Sequence, residues 1–388
     1  MPCSFRISFA LVAALPLGGC IASGSGSASD DLSSSSPDAD GGAGGGAESG
    51  GDAASASNDA GASPEAAGAS DAGFSLDGAD AAASADAATA DGGDGGPVPT
   101  GSGHVVFRLG GRWRRIEARA GGTMEDLTAA FDALSSGADD MVDLAASGAW
   151  LSLVTTRFGC KNYGCLALVH GDLGAGTLLQ TSAGEIHATG RAAVSSAGDR
   201  VAFPAPGPHA MDIYSIARTS PTTWSTPVLL TGASSDAYHH DVAISADGAK
   251  ATFDCGADPY GAGGTAFCEA KTDGTGFRKV LDPGSTSNAL HHPGYAPDGS
   301  LVFEGAWTSE QIWRLPAAGT TPTPLAPSQT NDNTPCVLPS GKIASLWLSS
   351  PQNPHGLHEL KVMSANGASF EMVLTGQDIE DIGIGCGQ

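Results

Sequence analysis

HPGYAPDGSLVF (His292–Phe303) decides the fold. Two stretches of β-forming residues flank Asp298-Gly299, and this dipeptide supplies the left-handed position that a tight hairpin turn needs. The same arrangement recurs as DVAISADGAKATF (Asp241–Phe253), RAAVSSAGDRVAF (Arg191–Phe203), MVDLAASGAWLSLV (Met141–Val154) and TPCVLPSGKIASLW (Thr334–Trp347). The turn glycines Gly148, Gly198, Gly248, Gly299 and Gly341 are spaced by 50, 50, 51 and 42 residues. A sixth start, DIGIGCGQ (Asp381–Gln388), follows about one period later.

Working outward, a third strand is expected in most units: DIYSIA (Asp212–Ala217), AFCEAKT (Ala266–Thr272), QIWRLP (Gln311–Pro316) and HELKVMS (His358–Ser364). Gly-bearing turns and fourth strands close two units, TDGTGFRKVL (Thr272–Leu281) and SANGASFEMVL (Ser364–Leu374). Four short strands per period of roughly 40–50 residues is the pattern of propeller blades. The one helical candidate is Thr123–Leu134, opening Thr-x-x-Asp.

The Pro-Asp-Gly turn of YAPDGSLVFEG, with the DGTGFRKVL strand before it, resembles the repeats of TolB-like six-bladed β-propellers. The resemblance covers about residues 104–388. It is weaker where Ser147, Ala197 and Ser340 replace the turn Asp. It implies an all-β domain over 101–388, six four-stranded blades, with seven blades or an open array as alternatives. HVVFRLG (His104–Gly110) and RWRRIEA (Arg112–Ala118) would complete the blade begun by Asp381–Cys386. Closing the ring with both ends of the domain removes an open sheet edge.

The N-terminal hundred residues read differently. Met1–Cys20 has one Arg before the apolar run Ile7–Leu17, too short to span a bilayer and suited to a signal-peptide core. Leu17-Gly18-Gly19-Cys20 resembles the bacterial lipobox, which implies a signal peptide over 1–19, lipidation of Cys20 and a cell-envelope location at the outer membrane or cell surface. A plain signal peptide is the alternative. Residues 20–100 are almost wholly Gly, Ala, Ser and Asp. Residues 21–100 carry 14 acidic residues, no Lys or Arg, and Phe74 alone as an aromatic. Such a segment cannot bury enough apolar area to offset its chain entropy, so a disordered tether is expected, as a spacer or as a low-complexity linker. The net charge is −24 over 388 residues and −11 over 101–388, which argues against nucleic acid and anionic membrane surfaces as partners. The lipid would be the sole membrane attachment, and a monomer is expected.

Six cysteines remain in the propeller, and six allow 15 pairings. In the repeat alignment Cys160 and Cys165 flank the loop between the second and third strands of one unit, as do Cys255 and Cys268 in another. Cys336 and Cys386 fall in innermost strands of neighbouring units. The expected bonds are therefore 160–165, 255–268 and 336–386. A thiolate zinc site is the rival reading, and no Cys-x-x-Cys pair supports it.

Propellers commonly bind ligands where the innermost strands begin. Aligned on their turns, the units place Asp140, Gly190, His240, His291, Asn333 and Glu380 there, with Asp139, His239, Asp241, His292, Asp332 and Asp381 beside them. Imidazoles with carboxylates suit Zn, Mn or Fe, so His239, His240, Asp241, His291, His292 and Asp332 are candidate divalent-metal ligands. The sequence favours reading the same residues as polar groups lining a wet channel without any metal, because register in a gapped alignment is a soft signal. Oligogalacturonate lyases are similar propellers with a channel-mouth manganese held by histidines, which implies a lyase-like polysaccharide enzyme as one alternative. Their ligand pattern cannot be matched here, and no catalytic role is carried over.

The remaining features are structural on this reading. His187 and His209 stand alone, and Trp150, Trp307, Trp313 and Trp347 suit blade packing. The basic run Arg112–Arg115 suits a solvated strand face. No Gly-x-Ser-x-Gly elbow is present, and Gly261–Gly264 precedes no helix. The sequence thus favours a binding module, for a protein or glycan ligand at the channel mouth, over an enzyme.

Overall fold

The computed structural model describes residues 101–257, 265–284, 289–305, 311–325, 328, 331–348 and 356–388. The expected signal peptide, Cys20, the tether, Gly261–Gly264 and Trp307 lie outside the described residues. The rest forms six blades, each with its strands paired antiparallel from the axis outward.

Blade 1 comprises Asp139–Leu144, Trp150–Thr155, Cys165–His170 and Gly176–Leu178. Blade 3 comprises Tyr238–Ile244, Lys250–Gly256, Thr265–Lys271 and Arg278–Leu281. Blade 4 comprises Leu290–Tyr295, Leu301–Gly305, Gln311–Leu315 and Thr323–Pro324. Blade 5 comprises Asp332–Val337, Ile343–Leu348, His358–Met363 and Phe370–Leu374. Blade 2 departs from the pattern. Its inner strand is only Ala193–Val194, and both Thr223–Trp224 and Val228–Leu229 pair with the long strand Asp212–Ser220. Blade 6 closes the ring as the sequence implies: Gly385–Gly387 pairs with His104–Leu109, which pairs with Arg112–Glu117 and then Met124–Asp126.

The hairpin turns explain why imperfect repeats still fold alike. Gly148, Gly198, Gly248, Gly299 and Gly341 have φ of 69°, 68°, 72°, 78° and 80°, so each needs the freedom of a residue without Cβ. Each donates its N–H three residues back, at 2.8–2.9 Å. Asp247 Oδ1 then accepts the Ala249 N–H at 3.0 Å, and Asp298 Oδ1 the Ser300 N–H at 3.1 Å. Where Ser147 stands in for Asp, its Oγ accepts the Ala149 N–H at 3.3 Å. Where Ala197 stands there, Ser195 Oγ accepts from Asp199 and Arg200 instead. At Ser147 and Ala197 the turn thus keeps an acceptor, whereas Ser340 Oγ makes no such bond among the described residues.

Each sheet is buried on both faces because each packs against two neighbours. The apolar core therefore divides into six clusters, one at every blade interface, including blade 6 against blade 1 and blade 5 against blade 6. Phe267 of blade 3 meets Phe303 of blade 4 edge-on at 5.1 Å. The helix is shorter than Thr123–Leu134: residues 124–126 are strand, and Leu127–Leu134 is helical with Asp126 as its cap, accepting the Ala129 N–H at 3.1 Å. Strand pairing to Arg114–Ile116 outcompetes an earlier helix start. The predicted disulfides all form, Cys160–Cys165, Cys255–Cys268 and Cys336–Cys386, so these sulfurs are not zinc ligands.

The innermost strands surround a central cavity of about 1040 Å³ that opens on the hairpin-turn side. Gln388 lines it, donating its N–H to Ala146 O and accepting from His104 Nδ1 through its own carbonyl. The starts of the innermost strands lie at the opposite end.

Candidate functional site

Three consecutive blades carry the same irregularity where the innermost strand begins. The pairing with the second strand slips between His240 and Ala243, between His291 and Gly294, and between Asn333 and Cys336. At each slip a non-glycine residue takes left-handed backbone: Asp241 at φ 47°, His292 at 52° and Thr334 at 43°. Bulges re-aim side chains, and left-handed backbone at a non-glycine residue is strained, most of all at β-branched Thr. A strained feature repeated in three blades marks this end of the molecule as a site.

In blades 3 and 4 the bulges bring imidazoles onto two carboxylates. Asp254 lies in the second strand of blade 3, opposite His240 in register, and is 1% exposed. Its Oδ1 accepts the His240 backbone N–H at 3.1 Å. Its Oδ2 stands 3.0 Å from His240 Nδ1 and accepts from His291 Nδ1 at 3.2 Å. Asp241 Oδ2 stands 3.5 Å from Nδ1 of both His240 and His292, and 3.8 Å from that of His291. The His240 and His291 rings lie nearly parallel, 6.1 Å apart. His292 Nδ1 is buried with no hydrogen-bond partner among the described residues.

The charges are strongly coupled to this packing. Burial pushes His240 down, but the Asp254 and Asp241 carboxylates outweigh it and raise its pKa to about 10. Burial likewise lowers His291, and Asp254, Asp241 and Glu304 raise it to about 9. Burial raises Asp241, yet His292, His240 and His291 hold it well below the usual carboxylate range.

The donor set suits a borderline divalent cation. Groups bonded to one ion at about 2.0–2.2 Å stand about 3–3.5 Å from one another at tetrahedral or octahedral angles. The ring nitrogens and carboxylate oxygens of His240, Asp241, Asp254 and His291 are already within 4.8 Å of each other. His292 adds a third imidazole against the same Asp241 oxygen.

Two expected ligands lie elsewhere. His239 points to the other side of its strand, where both ring nitrogens are engaged, Nδ1 with Met211 O and Nε2 with Ser234 Oγ, each at 2.8 Å. Strand alternation turns it away from His240. Asp332 is bound inside blade 5 to Lys361 Nζ at 2.5 Å. Positions in blades 1 and 6 serve the scaffold: Asp139 pairs with buried Arg157 at 2.9 Å, and Glu380 with Arg108 at 3.3 Å. Gly190 of blade 2 contributes no side chain.

Sequence reasoning missed Asp254 and Glu304. Both directly follow a repeat phenylalanine, Phe253 and Phe303, and sit opposite His240 and His291 in the ladder. The repeat alignment stopped one residue short of them. Glu304 Oε2 accepts the Thr334 N–H at 3.0 Å and so ties blade 4 to the bulge of blade 5.

TolB from Acinetobacter baumannii aligns with this chain at TM-score 0.54 and 14% identity, over 75% of this chain and 68% of that one. Putative TolB from Agrobacterium tumefaciens aligns at TM-score 0.45 and 18% identity, over 70% and 88%. An oligogalacturonate lyase in complex with manganese aligns at TM-score 0.44 and 14% identity, over 68% and 70%. No protein-family model and no curated protein matches the chain. The chain is therefore a six-bladed β-propeller with the fold of TolB, and at these identities the likeness extends to the fold alone.

Proposed function

We propose that this is a tethered extracytoplasmic binding propeller that holds a protein or glycan ligand at the mouth formed by blades 3 and 4, through a divalent cation. His240, Asp241, Asp254, His291 and His292 would coordinate the ion. The supporting observation is the convergence of imidazole nitrogens on carboxylate oxygens at 3.0–3.8 Å, at buried Asp254 and half-buried Asp241. Lipidation at Cys20, the tether over 20–100, an outer-membrane or cell-surface location and a monomeric state belong to the same proposal. Among the described residues no helix is long and apolar enough to cross a membrane.

The test is metal content of the full chain purified without chelators, beside His240→Ala/His291→Ala. About one ion per chain, lost in the variant, is the expected result; no ion in the wild type overturns the cation. Labelling with a fatty-acid analogue in wild type and Cys20→Ala tests the anchor.

A second reading, a lyase-like metal-dependent enzyme on polysaccharide, draws on His292, whose Nδ1 stands 3.5 Å from Asp241 Oδ2: left out of the ion's ligand set, this imidazole would be placed to move a proton beside the cation. Turnover of oligouronates that needs His292 and the metal would favour it over binding.

A further inference from the structure

The central cavity opens toward the hairpin turns, and most of its wall is apolar. Val194, Val242, Ile244, Pro293, Pro335 and Val337 line it from blades 2 to 5. Pro293 and Pro335 bring no N–H to that wall. Arg191 lines it from blade 2, seven residues before the turn glycine Gly198 and deeper than the other lining residues of its blade. Its Nη1 donates to Ile384 O, and Gly383 leaves room for it, since a Cβ there would stand 3.0 Å from Nη1. A guanidinium has five N–H groups, and the other four have no partner among the described residues. None of its nitrogens is buried without a partner, so these groups face the open cavity. No carboxylate among the described residues lies within 4.0 Å of it. Every other described arginine has an ion pair or an aromatic partner. Asp143 of blade 1 also lines the cavity, but burial outweighs the pull of Arg191 and raises its pKa, which weakens it as a counter-ion. A half-buried charge left without a counter-ion carries a desolvation cost that an anion from outside would offset.

We infer that this cavity binds an aliphatic carboxylate, its head on Arg191 and its chain along the apolar wall toward the turns. A carboxylate meets the fork of a guanidinium with two parallel hydrogen bonds. The wall from Val242 to Ser245 runs about 10–13 Å, enough for an extended decanoate. A short polar anion would leave the valines and prolines against water, and a polyanion would meet Asp247 at the rim. The cavity shares no residue with the histidine–carboxylate cluster, so it is a second site independent of the cation.

The probes are decanoate, butyrate and decanol, each below its solubility or micelle limit, titrated calorimetrically into the full chain. Saturable binding of decanoate is expected, with butyrate and decanol each weaker by about tenfold or more. Arg191→Met, which keeps the apolar stem, should weaken decanoate by about tenfold or more and leave decanol unchanged. Arg191→Lys should fall between Arg191→Met and wild type. Thermal unfolding of each variant separates lost binding from lost fold. A diazirine-bearing decanoate cross-linked to the wild type reads the site without any variant, and adducts are expected within residues 242–245 and 293–296. No saturable binding, decanol or butyrate bound as tightly as decanoate, undiminished binding by Arg191→Met, or adducts confined to other segments would each overturn the inference. Chelation and His240→Ala/His291→Ala should leave decanoate binding intact, whatever becomes of the cation. Decanoate binding lost with them would place the ligand at the histidine mouth and remove it from the cavity.

Discussion

The Asp241 carboxylate of blade 3 stands 3.5 Å from the His292 imidazole of blade 4, and both residues hold left-handed backbone. The scaffold maintains this strain on both sides of one blade interface. It is held by continuous sheet pairing on the flanks and by the buried carboxylate of Asp254 beneath.

His292→Gly removes a left-handed non-glycine residue and the imidazole that faces Asp241 together. Relief of strain of about 1 kcal/mol should offset the added chain freedom of glycine. The expected outcome is an unchanged urea midpoint in metal-free protein with about tenfold weaker cation binding, one lost contact to a charged group. A midpoint that drops like that of a core truncation would show that His292 serves packing.

Stability of the metal-free chain should depend on pH through the cluster. His240 and His291 have folded pKa values of about 10 and 9, above their ordinary 6.5, so their contribution is full below about 6.5 and is lost as pH rises through 9–10. Asp241, held below its ordinary 3.8, contributes above that value and loses its contribution as pH falls through its folded pKa. Urea midpoints from pH 4 to 10 should be level to about 6.5 and then decline. In His240→Ala/His291→Ala the alkaline decline should flatten; an unchanged slope would assign it to other groups.

The clasp of the ring should outweigh the hairpin staple. Cys336–Cys386 closes a separation of 50 residues, and Cys160–Cys165 one of 5. In the chain-entropy account these correspond to about 4 and about 2 kcal/mol. Replacing the first pair by Ala should therefore cost roughly twice as much. It should also speed amide exchange at Val105, whose partner in the ladder is Cys386. Equal costs, or exchange unchanged at that strand, would mean that packing alone holds the closure.

Asp332→Ala should destabilise the fold by about 3–5 kcal/mol, because it removes the carboxylate 2.5 Å from the Lys361 ammonium, a charge 1% exposed between Trp347 and Phe370. Burial already lowers the Lys361 pKa, and Asp332 works against that shift. Adding Lys361→Met should restore most of the loss. Metal content should match wild type throughout, and its loss would return Asp332 to the site.

Blade number, ring closure and disulfide pairing were legible because each follows from period. A turn glycine every 42–51 residues sets the register, and register places cysteines and mouth residues alike. His240 and His291 were found that way. His239 misled because proximity in sequence says nothing about which side of a pleated strand a residue faces, and Asp332 because Lys361 lies 29 residues on, in a strand that only the fold brings beside it. Asp254 and Glu304 required the cross-strand ladder. The bulges, which aim Asp241, His292 and Thr334, leave only a faint mark in residue type: Asp and His are enriched in such backbone but occur far more often outside it, and β-branched Thr gives no signal at all.

The route of the chain also gives the propeller a polarity. Residue 104 enters beside Gln388, at the turn end of the ring, while the histidines stand at the far end. The chain therefore enters the ring at the end opposite its histidine mouth, and that mouth stays clear of the strand that closes the propeller.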